Sequence, residues 1–223
     1  KLTPDEKAIA GGVAAWNEKA PSAAGPFWNT IKDEAARATW TGDIAQYDAG
    51  VKSLADAAAA PANDESRILA AYEKARKAFA AIPETLAIPD EILANGNALA
   101  EGRMRALITA DKLTAARTLG TGAVQTFGGT DAIAAMDAEI AVALRSRDRE
   151  ADADAALQKA RAAEGFDRKI EGLDAAFAAC TRAETLLADD ARKAGAVGTP
   201  GVTREAARLR SRRQDVAIER EKI

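Results

Sequence analysis

The chain has 223 residues, enough for one large domain or two small ones, and its charge is nearly balanced, with 31 basic and 34 acidic residues and a net charge of −3. That balance gives no global attraction to nucleic acid or an anionic membrane, no apolar run is long enough for a transmembrane helix, and the single cysteine, Cys180, excludes an internal disulfide. Histidine is absent, which removes the usual general base, the usual zinc ligand and the Ser/His and Cys/His nucleophile pairs, and leaves carboxylate, Lys and Arg chemistry.

Roughly a quarter of the residues are alanine, and only 4% are aromatic. Alanine loses no side-chain entropy in a helix but buries little, each further CH₂ being worth about 0.8 kcal/mol. Thin seams between many helices are therefore expected. Thr3-Pro4-Asp5-Glu6 reads as a capping box opening a first helix, with Ile9, Val13, Trp16 and Ala20 on one face and Pro21 as its stop. After a loop from Pro21 to Pro26, a second helix carries Phe27, Trp28, Ile31, Ala35 and Trp40. Thr41-Gly42-Asp43 reads as the start of a third, marked by Ile44, Tyr47, Val51, Leu54 and Ala58 and ended by Pro61. Asn63 is expected to cap a fourth, with Ile68, Leu69, Tyr72, Ala75, Phe79 and Ile82 inward.

Pro89-Asp90-Glu91 opens a fifth helix, in which Asn95-Gly96-Asn97 is either a close helix contact or a break. Gly120 to Thr130 is expected to be a flexible joint, since it lacks the Gly-Lys-Ser/Thr ending of a phosphate loop. Thr130 then caps a long amphipathic stretch to Ala194, one rod or two helices. Within it Ile133, Met136, Ile140 and Leu144 point inward, and Arg145 to Asp154 forms an exposed span or a hairpin tip. Its second part sets Phe166, Ile170, Leu173, Phe177, Cys180, Ala183 and Leu187 on one stripe, backed by Asp167, Arg168, Lys169, Glu171, Asp174, Arg182, Glu184 and Asp189. Gly198 to Gly201 reads as a linker, and Thr203 as the cap of a last helix bearing Arg204, Arg208, Arg210, Arg212 and Arg213 on a solvated or coiled-coil face.

The expected fold is all-α, an Ala-rich multi-helix bundle over residues 1–119 joined to a long antiparallel hairpin or rod over 130–195, with a basic helix over 203–223. The chain begins at Lys1 rather than Met and ends inside a helical pattern, so it reads as a segment of a larger protein, and its composition fits a high-GC bacterial coding bias. The leading functional expectation is a non-enzymatic scaffold or protein-interaction module whose partner, or second copy, meets the seam at Phe166, Ile170, Leu173 and Phe177. The first alternative is a ligand-sensing domain with a small-molecule pocket at Trp16, Trp28, Trp40 and Tyr47. The second is an enzyme or toxin domain working without histidine. Cys180 reads as a core residue, and no motif calls for a metal or cofactor.

Overall fold

A computed structural model describes residues 2–61 and 64–223, and among these the regular structure is helical, with no strand. The helices are α1 (Pro4–Glu18), α2 (Gly25–Trp28), α3 (Glu34–Ala59), α4 (Glu65–Ala80), α5 (Asp90–Thr109), α6 (Leu113–Phe127), α7 (Asp131–Ala162), α8 (Phe166–Lys193) and α9 (Pro200–Glu221). They divide into two compact units. The first gathers the chain up to Ala100 with Gly122–Gly129, and the second Glu101–Thr121 with Thr130–Ile223.

In the first unit, Thr3 caps α1 by the reciprocal bonds its sequence predicts. The Glu6 amide donates to Thr3 Oγ1 at 3.2 Å, and the Thr3 amide to Glu6 Oε2 at 2.6 Å. The α2 and α3 boundaries differ from expectation: α2 stops at Trp28, and α3 runs unbroken from Glu34 through Thr41-Gly42-Asp43. Asp33 is the cap, its carboxylate accepting from the Ala36 amide at 2.9 Å, while the Thr41 hydroxyl donates back to the Arg37 carbonyl at 2.8 Å and so cannot cap. The expected cap Asn63 lies outside the described residues, and Asp64 accepts from the Arg67 amide at 3.2 Å. Along α4 the predicted stripe of Ile68, Tyr72, Ala75 and Phe79 is buried, as is Ile82 just beyond it. Asn95-Gly96-Asn97 is a contact, not a break: a Cβ on Gly96 would sit 2.6 Å from the Phe127 ring, and Asn97 Nδ2 donates to the Phe127 carbonyl at 2.8 Å.

The expected joint from Gly120 to Gly129 is corrected. Gly120 and Gly122 belong to α6, because each meets a side chain where its Cβ would be, Met104 Cε at 2.7 Å and Arg76 Cδ at 3.0 Å. Only Gly128 and Gly129 leave the helix, with φ of 81° and 70°.

In the second unit, the long stretch breaks into α7 and α8 at Gly165, whose φ is 90°. Gly172 of α8 lies against Ala160 of α7, and Arg145 and Arg149 of α7 reach Asp190 of α8, so the two helices run in opposite senses. Helix α9 starts at Pro200, three residues before the expected cap Thr203. Thr199 is its N-cap, but its hydroxyl donates back to the Ala196 carbonyl at 2.9 Å and caps no amide, and Glu139 of α7 accepts from the Gly201 amide at 2.5 Å instead. Beyond that point α9 follows α7 in the same direction through three ion pairs, Arg147–Glu205, Asp154–Arg212 and Arg161–Glu219, each joining residues 58 apart. The span from Arg145 to Asp154 is thus helical but neither exposed throughout nor a tip: Ser146 and Ala153 are buried, and Arg145, Arg147, Arg149 and Asp154 pair with residues of other elements.

Candidate functional site

The buried stripe of α8 is Leu173, Ala176, Cys180, Ala183, Leu187 and Ala191. The expected stripe therefore splits. Leu173, Cys180, Ala183 and Leu187 go inward, whereas Phe166 is 61% exposed, Phe177 39% exposed and Ile170 half-buried. The close approach at Gly172, where a Cβ would lie 2.7 Å from Ala160 Cβ, leaves room for Ala176 at the contact but not for a phenyl ring. Leu173 is consequently an interior residue, packed with Ala153, Leu157, Ala160 and Val216.

Phe166, Ile170 and Phe177 follow one another at spacings of four and seven, which keeps them on one side of α8. Ile170 and Phe177 line, with Ala217, Arg220 and Glu221 of α9, a cleft of about 420 Å³. The Arg213 guanidinium lies 6.0 Å from the centre of the Phe177 ring, at the limit of cation–π contact. Toward the other end of the α8–α9 seam, Leu187, Ala191, Val197, Val202 and Ala206 line a second cleft of about 570 Å³. Two of the charges expected on the back of α8 turn toward α9 instead: Asp174 pairs with Arg220 at 2.8 Å and Glu184 with Arg213 at 2.9 Å.

Of the α9 arginines expected on a solvated face, Arg210 is exposed, whereas Arg204, Arg208, Arg212 and Arg213 pair with carboxylates of other elements. Arg204 and Arg208 join Arg147 on the carboxylate of Asp111, with Arg204 at 2.8 Å and also bound to the Ile108 and Thr109 carbonyls at 2.8 Å. Asp111 is the middle residue of the three-residue turn between α5 and α6, with φ of 65°. Glu205, 1% exposed, accepts from Arg147 and Arg208 through Oε1, and its Oε2 has no partner. Burial would raise the Asp111 pKa, but hydrogen bonds from Arg204, Arg208 and Arg147 outweigh it and bring the carboxyl down from 3.8 to about 2. This knot fastens the α5–α6 turn to α7 and α9. Two nitrogens of each of the three guanidiniums are engaged by Asp111, Glu205 or the turn carbonyls, so the arrangement is a clamp and not an open anion cradle.

The four aromatic residues proposed from sequence come together in the first unit. Trp40 packs on Trp28 at 5.2 Å between ring centres, Trp28 on Trp16 at 5.8 Å, and Trp16 edge-on to Tyr47 at 5.6 Å. Trp16 and Trp28 are buried, with Trp16 Nε1 donating to the Ala87 carbonyl at 2.8 Å, while Trp40 and Tyr47 are half-buried. The series continues through Phe79 and Phe127 to Tyr72. Sequence reasoning missed Asp43, which lies one turn from Trp40 and one from Tyr47 on the same face of α3. Its reading as part of a helix start concealed it, although the i+3 and i−4 spacing was there to be seen.

Cys180 is buried and unbridged, and burial pushes its thiol up. Among the described residues no group of three or more Cys, Asp and Glu side chains could hold a metal ion, and no helix is long and apolar enough to cross a membrane. No protein family, no curated protein and no solved structure matches this chain.

Proposed function

We propose that this chain is a non-enzymatic helical scaffold whose α8–α9 face docks an amphipathic helix of a protein partner. The observation that carries the reading is the exposure of Phe166 and Phe177 on the side of α8 where Ile170, Phe177 and Ala217 line a cleft. Two of the five phenylalanines stand there, where each forgoes about 1–2 kcal/mol of burial until something covers it. A helix laid in a groove with anchors at helical spacing supplies that cover. Arg220 and Glu221, at the edge of the same cleft, give a partner polar positions that fix its orientation. The α7–α8 hairpin, drawn close at Gly172 and braced by α9, serves as the rigid platform beneath.

The test uses the double variant Phe166→Ser and Phe177→Ser, which changes exposed positions and spares the interior residue Leu173. Pull-down and sedimentation velocity at high micromolar concentration should show a specific partner with the wild-type chain and its loss with the variant. Thermal unfolding of the variant should stay within a few degrees of wild type. Absence of any partner for the wild-type chain, or undiminished binding by the variant, refutes the proposal.

A further inference from the structure

We infer that the first unit holds a site for a small organic ammonium ion at the carboxylate of Asp43, flanked by Trp40 and Tyr47. Asp43 is only 8% exposed, its Oδ2 is buried without a partner, and among the described residues the carboxylate takes no hydrogen bond or ion pair. An acid buried without compensation costs several kcal/mol and is retained where something outside the chain meets it. Burial raises its pKa, the direction that binding of a cation would reverse.

The surroundings select the kind of cation. On α3, Asp43 follows Trp40 by three residues and precedes Tyr47 by four, so the three side chains share one helix face. Trp40 and Tyr47 both belong to a continuous series of rings, joined through Trp28 and Trp16. Ring faces carry negative potential and attract alkylated ammonium groups, whereas a hard divalent ion asks for six to eight oxygen ligands, which a lone carboxylate does not provide. Carboxylates also act on Tyr47: after burial, Asp48 and Glu91 are what push its hydroxyl up. Beside Asp43, a Cβ on Gly42 would meet nothing within 4 Å, so the adjoining flank of α3 is open to an approaching ligand. This site is independent of the docking face on α8 and α9.

The three tryptophans of the chain all belong to this ring series, so intrinsic emission reports on it directly. Wild-type protein is titrated with tetramethylammonium chloride, against sodium chloride at equal ionic strength. The expected result is a saturable change in emission with the ammonium salt alone, weakened at least tenfold by Asp43→Asn and also by Trp40→Leu, with circular dichroism of both variants confirming retained helix. Should Asp43→Asn fail to fold, Trp40→Leu and the ¹³C shift of the wild-type Asp43 carboxyl during the titration decide the matter. A response shared by sodium chloride, unchanged affinity in the folded variants, or an Asp43 carboxyl shift indifferent to the ligand overturns the inference.

Discussion

Neutralising Asp111 tests whether the knot of three arginines holds the second unit together. Asp111→Asn keeps the shape of the side chain and tolerates the φ of 65°, so it removes charge with little backbone penalty. The fall in pKa from 3.8 to about 2 corresponds to at most about 2.5 kcal/mol in favour of the ionised, folded form. With the carboxylate 30% exposed, solvent screening brings this to about 1–2 kcal/mol. Asp111→Ala should lose roughly a further 1 kcal/mol, because alanine is poorly suited to left-handed backbone. Urea unfolding followed by circular dichroism measures both. The pH dependence follows from the direction of the shift: a carboxyl lowered by folding stabilises fully above its unfolded value, near 4, and the advantage of wild type over the Asn variant fades as pH falls through about 2. A loss below about 0.5 kcal/mol at neutral pH, or a difference that persists unchanged at pH 2, would show that the arginines are held by Glu205 and the carbonyls alone.

Gly12→Ala places a Cβ 1.9 Å from Trp28 Nε1, and the buried indole has no space to retreat, so a loss of about 1–3 kcal/mol and a changed near-ultraviolet dichroism spectrum are expected. Glu139→Ala leaves the Gly201 amide without its acceptor and should cost about 1–3 kcal/mol, with faster hydrogen exchange confined to the first turn of α9; uniform exchange would argue against the cross-helix cap. Cys180 should resist a disulfide-exchange reagent in the native chain and react fully in urea, since the thiol is buried and burial disfavours its thiolate; rapid native labelling would contradict this.

What the sequence disclosed was local. The Thr3 cap is written within four residues, and the α4 stripe from Ile68 to Phe79 uses large side chains at helical spacing, which neighbouring elements scarcely alter. The turn glycines misled for the same reason. Gly120 and Gly122 look like loop residues until Met104 and Arg76, distant in sequence, occupy the places of their missing side chains. The polar run from Arg145 to Asp154 lacked any sign of burial because its partners Glu205 and Arg212 lie 58 residues further on. The candidate site was legible to the same extent. Helical spacing grouped Phe166, Ile170 and Phe177, but which of them faced water depended on the α7–α8 contact at Gly172. Trp16, Trp28, Trp40 and Tyr47 were found by residue type, whereas Asp43 was hidden by a boundary that the Asp33 cap had moved.

The alternation of sign along α7 and α9 has a consequence for alignment. Arg147, Asp154 and Arg161 recur every seven residues, and so do Glu205, Arg212 and Glu219 opposite them. Sliding one helix by a single heptad sets arginine beside arginine and aspartate beside glutamate, and harmony returns only after two heptads, about 21 Å along the axis. Seams lined with alanine grip almost equally well at any offset, so it is the charges that act as a ruler and give α9 a single berth.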